Sequence, residues 1–263
     1  MGEKTRPPVT GVQSATRILS LLRIVGAHRG DGIRLRELTE LSGLDRSTAH
    51  RMLACLVDEG FVERIDSTKL YRLGLEALQW GFTSNGLATV VDRLRPLMQR
   101  LGRQTGDTVY LLVRSGDFAL CLHREEGSYP IKAFMMDKGM RRPLGISAGG
   151  VAILALMPEE DVPQVYARNA REYERMGVSP AQFKRLVART RTAGFSEMAH
   201  VSGEEARGVG CAFWLTQSSL AAISIAAINS RMLPQRMAEL GVQLARELEP
   251  LAWKPRGEAG AVR

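Results

Sequence analysis

Thiol and imidazole side chains come together in this sequence at Cys121 and His123, two positions apart in a β-like run. Side chains two apart in a strand share a face, so a nucleophile–base pair or half a metal site is one interpretation. Structural zinc needs four ligands, however, and no second cluster accompanies this one. An ordinary strand pair is the simpler interpretation. An enzyme that uses Cys121/His123 or Cys211 is the alternative hypothesis.

A second group of chemically able side chains lies between residues 45 and 51 and suits DNA better than catalysis. Asp45 is a typical N-cap, so the next turn of helix presents donors to base edges or phosphates. The candidate DNA contacts are Arg46, Ser47, Thr48, His50 and Arg51, with Arg17 and Lys69 as phosphate contacts. The simpler alternatives are helix capping for Ser47 and Thr48, and a solvated face for Arg36 and Lys69.

A third candidate site is Ser147-Ala148-Gly149-Gly150, a helix entrance without bulky side chains. The amides and dipole of such a helix start can receive a carboxylate. Close packing of a small-residue helix against a sheet is the alternative. Cys211 and Ser224, in two strands of a proposed hairpin, are expected to line the same cavity or else to be core residues. An apolar wall is expected from Phe134, Met135 and Met136.

The elements that hold the DNA contacts are predicted from helical and alternating apolar spacing. Gly26 and Gly30 are expected to end the first helix, and Gly60 the third. The order helix, helix, short turn, helix, hairpin is that of a winged helix-turn-helix, with a generic small α/β module as the alternative. The predicted elements are helices over Val12–Val25, 35–41 and from Asp45 to Gly60, and strands over Phe61–Ile65 and Leu70–Leu73.

The remainder of the chain predicts a mixed helix and strand domain that follows a connecting helix over 75–90. Pro96 is expected at an early turn or a kink of the next helix. The predicted helices cover Val90–Arg103, 147–157, a segment that starts at Pro158, one that starts at Ser179-Pro180, and Pro234–Leu248. The predicted strands cover Thr108–Arg114, Phe118–His123, Ile131–Met136 and segments near 195–199, 209–216 and 220–228.

Composition and charge limit the classes of protein that this chain can belong to. With 263 residues and 44% apolar residues it is globular in type, and a net charge of +8 suggests an anionic partner. Residues 1–80 carry 12 basic and 10 acidic side chains, so placement of charge must matter more there than its sum. The uncharged stretch 208–230 is too polar to span a membrane and suits two strands. Three cysteines and no signal peptide indicate a cytoplasmic protein.

Three motifs in the chain resemble the IclR family of bacterial transcription regulators. Residues 37–53 (ELTELSGLDRSTAHRML) resemble its helix-turn-helix core, and residues 70–74 (LYRLG) its wing strand. Residues 143–155 (PLGISAGGVAILA) align without gaps to a C-terminal motif of the family. Gly145 and Val151 stand where that motif usually has His and Lys. Ser224 and Ala226 stand where paired serines are often found.

The resemblance implies an α+β protein with an N-terminal winged helix-turn-helix, a linker helix and a C-terminal GAF-like α/β effector-binding domain. The expected effector contacts include Ala226, whose apolar side chain favours a larger or less polar ligand than a two-carbon acid. The expected boundaries are disordered tails at 1–10 and 254–263, a DNA-binding domain at 11–74, a linker at 75–90 and an effector domain at 91–253.

The function expected from the resemblance is that of a ligand-responsive regulator, not an enzyme. It would bind double-stranded operator DNA as a homodimer or homotetramer, because paired half-sites multiply the affinity of one winged helix. The helices at 12–25 and 75–90 are the expected dimer contacts. A small organic or aromatic acid is the expected effector, without a cofactor, a metal or a membrane.

Overall fold

The structure is a computed structural model that describes residues 12–28, 32–83, 85–133, 135–199 and 206–252. The chain divides into two compact units, Met1–Ala88 and Thr89–Arg263. In the described residues, no helix combines the length and the apolar character that a membrane span needs. Each unit has its own core of buried apolar side chains, so each is described by itself.

The first unit is a three-helix bundle closed by a two-stranded hairpin. Its core is formed by Leu21, Leu38, Leu53 and Tyr71, together with Ile33, which forms an isolated bridge to Tyr71. Val25 lies one turn after Leu21 on α1, and Leu56 one turn after Leu53 on α3, so each of these helices buries one face in the shared core. The elements are α1 (Gln13–Ala27), α2 (Leu35–Ser42), α3 (Arg46–Asp58), β1 (Val62–Ile65) and β2 (Leu70–Leu73).

Two glycines set the turns of this bundle. Gly43 ends α2 with φ +67°, and Gly60 follows α3 with φ +72°, both in the left-handed region that favours glycine. The predicted end of α1 at Gly26 is wrong, because Gly26 lies inside the helix, which continues to Ala27. Gly30 lies outside the described residues.

Two helices follow the hairpin, α4 (Leu75–Thr83) and α5 (Asn85–Thr105). The helix predicted over 75–90 corresponds to α4 and the first residues of α5, and Ser84 between them lies outside the described residues. Pro96 lies well inside α5, not in its first turn. The division between the two units falls within α5.

The second unit is built on a six-stranded antiparallel sheet with the strand order β5-β4-β3-β8-β7-β6. The two central pairs, β3 with β8 and β8 with β7, are buried on both faces. The strands are β3 (Thr108–Ser115), β4 (Phe118–Glu125), β5 (Arg141–Pro143), β6 (Ser196–Ala199), β7 (Ala206–Trp214) and β8 (Leu220–Ile228).

The strand predicted over Ile131–Met136 is wrong for the described residues of that range, which form a loop. The Tyr110 side chain holds this loop: its hydroxyl donates to the Ala133 carbonyl at 2.6 Å and accepts from the Met135 amide at 2.9 Å. The edge of β4 is occupied by the next segment instead, because β5 and Met140 bond to it.

Helices cover both faces of the sheet. One face packs against α6, α7 and α9, and the other against α5 and α10. The helix expected from Pro158 begins later, at Asp161, because a turn in which the Asp161 amide donates to the Pro158 carbonyl precedes it. The helices are α6 (Ala148–Leu156), α7 (Asp161–Arg168), α8 (Ala170–Arg175), α9 (Pro180–Ala193) and α10 (Pro234–Leu248).

A buried carboxylate ties the start of the sheet to the segment before α10. The Asp107 side chain is 1% exposed and lies 2.8 Å from Arg231 Nε and 2.6 Å from Arg236 Nη2. Both guanidinium groups also donate to the Thr105 carbonyl, and Arg231 lies over the Tyr129 ring at 3.9 Å. A buried carboxylate with two arginine partners has its charge compensated, so this cluster is a structural clamp.

Candidate functional site

The start of α3 is fixed by one carboxylate. Asp45 Oδ1 accepts hydrogen bonds from the Thr48 amide at 2.9 Å and from the Ser47 hydroxyl at 2.7 Å. These bonds, led by the one from the Thr48 amide, hold the pKa of the Asp45 carboxyl far below its usual range. The predicted N-cap is confirmed. The Ser47 hydroxyl is engaged in capping, as the alternative for that residue anticipated.

The outer face of α3 is basic and exposed. Arg46, His50 and Arg51 are exposed, whereas Ala49 and Leu53 on the other face are buried in the bundle. Within the described part of the chain, the three basic side chains form no ion pair, and Thr48 is half-buried beside them. Donors on such a face are available to an anionic partner because no described residue of the unit neutralises them.

Other basic residues of the first unit differ in how far they are neutralised. Arg17 is exposed on α1. Lys69 lies in the hairpin turn with φ +58°, and its Nζ is 4.0 Å from Asp66 Oδ1. Arg36 pairs with Glu40 on its own helix at 2.9 Å, which agrees with the solvated-face alternative for Arg36. The hairpin turn thus presents a cation, with an acid nearby.

The start of α6 is packed closely against β7. Ser147 Oγ accepts from the Gly150 amide at 3.2 Å and caps the helix. A Cβ on Gly149 would lie 2.5 Å from the Leu112 side chain, and one on Gly210 would lie 2.8 Å from the Ala148 backbone carbon. Gly149 therefore serves the close packing that was the alternative interpretation, and neither Gly149 nor Gly150 lines the cavity near the start of α6.

Sequence reasoning missed Ser196, which fastens this contact between α6 and β7. Ser196 is fully buried, and its hydroxyl donates to the Ala148 carbonyl at 2.6 Å and lies 3.1 Å from the Gly210 carbonyl. A lone serine at the start of a short strand carries no signal for such a role. The register, which pairs Ser196 with Gly210, creates it.

A cavity of about 40 Å³ lies between the start of α6, the sheet and the loop after β4. Of the predicted effector contacts, the structure brings together Met135, Ser147, Ala148, Ser224 and Ala226 at this cavity. Phe134 lies outside the described residues. The remaining lining is mostly apolar and includes Tyr110, Leu112, Met136, Ile146, Met198 and Gly208.

The prediction that Cys211 lines the same cavity as Ser224 is wrong. In the ladder Ser224 pairs with Gly210, while Cys211 pairs with Ile223, and neighbouring positions point to opposite faces. Cys211 lies in the core beneath α5 and α10 and contacts the Gly194 carbonyl at 3.5 Å. Burial raises the pKa of its thiol to about 11, so the thiol is protonated at neutral pH.

The side chains of Cys121 and His123 do not form the pair that the sequence suggested. A register shift between Leu111 and Leu112 places Cys121 opposite Leu112 and His123 opposite Leu111, and these leucines belong to cores on opposite faces. His123 Nε2 lies 2.6 Å from Glu125 Oε1 instead. In the described part of the chain, no three His, Cys, Asp or Glu side chains are grouped as metal ligands.

Tyr110 is a further residue that the sequence analysis did not single out. Its ring lines the cavity, and its hydroxyl fixes the loop that carries Met135 and Met136. Burial raises the pKa of the hydroxyl, which stays protonated and can donate. One side chain therefore joins the sheet to the apolar wall of the cavity.

Comparison with known proteins identifies both units. Residues 14–66 match the IclR helix-turn-helix domain, and residues 86–249 match the C-terminal domain of bacterial IclR transcriptional regulators. The chain belongs to the IclR family. Members of the IclR family are transcriptional regulators and not enzymes, so the catalytic alternative built on the cysteines is not supported.

Relatives of this IclR-family chain align over most of its length. It is 30% identical to the transcriptional repressor IclR of Escherichia coli over 251 residues, which is 90% of this chain and 88% of that protein. A putative IclR regulator from Silicibacter has a similar fold, with a TM-score of 0.73, 24% identity and coverage of 92% and 98%. An IclR homologue from Microbacterium hydrocarbonoxydans, solved in complex with 4-hydroxybenzoate, has a TM-score of 0.67 and 18% identity. The match covers 90% of this chain and 98% of that one.

Proposed function

We propose that this regulator binds operator DNA through the outer face of α3 and changes its DNA affinity when a small organic acid occupies the cavity of the second unit. The observation that carries the proposal is the basic face of α3, on which Arg46, His50 and Arg51 are exposed without ion pairs among the described residues. Because Asp45 fixes the helix start, this face is presented in one orientation.

In the proposed complex α3 enters the major groove with its N-terminal turns against the bases. Arg46 and Arg51 reach guanine edges or phosphates, and His50 and Thr48 offer further donors. Ser47 keeps its bond to Asp45 and can still accept a hydrogen bond. Outside the groove, Arg17 on α1 and Lys69 in the hairpin turn contact phosphates, which adds affinity without sequence preference.

The proposed effector is a small organic acid, in keeping with the 4-hydroxybenzoate complex of the Microbacterium homologue. The cavity of about 40 Å³ holds a few water molecules. A benzene ring needs a cavity of roughly 150 Å³, so an aromatic acid requires the wall to move. Met135 and Met136 form that wall, and the flexibility of methionine suits such a change.

We also propose that the protein acts as a homodimer or homotetramer in the cytoplasm, where operator DNA is found. The first unit exposes large apolar side chains on α1 and α4, which correspond to the helices expected to form the dimer contacts. Leu19 on α1 is 50% exposed, and Leu75 and Trp80 on α4 are 66% and 65% exposed. Apolar patches of this kind mark association surfaces. A two-fold axis there would set two α3 helices on successive half-sites.

Gel-shift titration at fixed salt, with DNA from the promoter beside the gene, tests the DNA interface. Arg46→Ala and Arg51→Ala should each weaken binding by about tenfold, since a good base contact contributes about 1–3 kcal/mol. Arg171→Ala is the matched control, because it removes the same charge from an exposed position in the second unit. Equal affinities for the wild type, both variants and the control would exclude this face as the DNA contact.

A thermal-shift screen of organic and aromatic acids tests the effector. A hit should raise the melting temperature of the wild type and change its affinity in the gel shift. Ser224→Ala should reduce the shift, because it removes a hydroxyl that lines the cavity. A hit whose effect survives both Ser224→Ala and Met135→Ala would have to bind elsewhere.

A further inference from the structure

One buried hydroxyl on the cavity face of the sheet has no hydrogen-bond partner. Thr108 is 1% exposed, and its Oγ1 is bonded to nothing in the described part of the chain. Buried hydroxyl groups almost always have a partner, because burial without one costs the hydrogen bond that water would have made. A ligand or a water molecule that enters the cavity can supply the missing partner.

The register places Thr108 directly behind the cavity lining, opposite a residue that belongs to it. Thr108 pairs directly with Ala226, which lines the cavity, and Tyr110 pairs with Ser224. Thr108 and Ser224 are thus diagonal neighbours on one face, with Cα atoms about 7–8 Å apart. Ala226 lies between Thr108 and Gly208 in the sheet, and its methyl side chain cannot form a hydrogen bond with the Thr108 hydroxyl.

Two further polar side chains at the cavity are already engaged in hydrogen bonds within the chain. Ser147 caps α6, and Tyr110 holds the loop through both of its hydrogen bonds. Arg207 also lines the cavity, but its pairing with Ala227 directs the side chain to the opposite face, where Nη1 donates to the Met232 carbonyl and the buried Nε has no partner among the described residues. The Ser224 hydroxyl has no hydrogen bond to any described residue. Thr108 and Ser224 are therefore the two hydroxyls that can serve a ligand.

We propose that the hydroxyls of Thr108 and Ser224 form the hydrogen-bonding end of the cavity and receive the oxygen atoms of the effector's carboxylate. This proposal rests on the function proposed above and adds Thr108 to the residues that determine specificity. Two donors about 7–8 Å apart at Cα can both reach one carboxylate through hydrogen bonds of about 2.7 Å. The apolar part of a small acid bound to these two donors would pack against Met135 and Met136.

Thr108→Val tests the proposal because it replaces the hydroxyl by a methyl group of similar shape. A hydroxyl kept for a ligand stabilises nothing in the ligand-free protein, so the variant should melt at the same or a higher temperature than the wild type. Thr190→Val is the matched control. The Thr190 hydroxyl is also buried but donates to the Leu186 carbonyl at 2.8 Å, so this variant should melt at a lower temperature.

The second readout is acid binding by the full-length chain, measured by calorimetry with acetate, benzoate and 4-hydroxybenzoate. Thr108→Val should lower the affinity for the acid that binds the wild type at least tenfold. Thr108→Ser and Thr190→Val should bind that acid with the affinity of the wild type. The proposal is overturned if Thr108→Val binds the acid with unchanged affinity. It is also overturned if, without ligand, Thr108→Val loses as much melting temperature as Thr190→Val does.

The outcomes also separate this proposal from the proposed function. If none of the acids binds the wild type, the acid class of the proposed effector is wrong, and the ligand-free comparison still decides whether the Thr108 hydroxyl lacks an internal partner. If an acid binds the wild type and releases DNA, yet binds Thr108→Val with unchanged affinity, the proposed regulatory function is supported. The proposed role of Thr108 is then wrong.

Discussion

The start of α6 packs closely against β7, and a single methyl group at Gly210 tests this contact. The three atoms nearest to a Cβ on Gly210 are backbone atoms of Ala148 and Gly149, at 2.8 to 3.0 Å. Backbone atoms cannot rotate away as the end of a side chain can. Gly210→Ala must therefore push α6 away from the sheet and disturb the Ser196 hydrogen bond across the contact.

The expected cost follows from this geometry. Overpacking a core costs about 1–3 kcal/mol, and a clash with the backbone of α6 places Gly210→Ala near the upper end, about 3 kcal/mol. In a domain of roughly 150–250 residues each kcal/mol lowers the melting temperature by about 2–4 °C. The melting temperature of the second unit should therefore fall by about 6–12 °C.

Differential scanning calorimetry of the full chain measures this change, with Gly102→Ala as the control. Gly102 is inside α5, and a Cβ there would meet its nearest neighbours at 3.9 Å, an ordinary contact. Alanine at that position should raise stability by up to about 1 kcal/mol through helix propensity. The close packing of α6 on β7 would be refuted if Gly210→Ala had the melting temperature of the wild type, or a higher one as expected for Gly102→Ala.

Three further perturbations have outcomes that the structure fixes. Tyr110→Phe should lower the free energy of unfolding by about 1–3 kcal/mol in urea titrations, because the loop loses both of its bonds to the hydroxyl. Asp107→Asn should cost about 3–5 kcal/mol in the same assay, since two arginines lose a buried carboxylate, whereas the exposed Asp66→Asn should cost little. Iodoacetamide at pH 8 should label the exposed Cys55 well before the buried Cys211. Burial holds the pKa of Cys211 at about 11 against 9.0 unfolded, so its contribution to stability is complete below pH 9.0 and is lost as the pH rises through about 11.

Local signals in the sequence predicted the first unit well. The N-cap at Asp45 and the glycine after α3 act through the backbone within a few residues, so they can be identified without knowledge of the fold. The basic face of α3 follows from the same helical spacing that buries Leu53. What the sequence could not give was the state of the Ser47 hydroxyl, which depends on how the Asp45 carboxylate is oriented.

The second unit was harder because its central strands are buried on both faces. Every residue of β8 except Ile228 is buried, so no alternation of polar and apolar residues reveals which positions face the cavity. That is why Cys211 was assigned to the wrong face and Thr108 was overlooked. The bulge near Leu111 likewise depends on pairing between strands, and it separated Cys121 from His123.

The two sides of the cavity differ in how far they can change during evolution. Where α6 meets β7, glycine and alanine backbones are in contact, and a single added methyl group has no room. The opposite wall consists of Met135 and Met136 on a loop, where side chains can be exchanged without shifting a backbone contact. We therefore expect homologues that respond to different acids to differ in the sequence of this loop, while they keep the small residues where α6 meets β7. Effector preference would then change at little cost to folding.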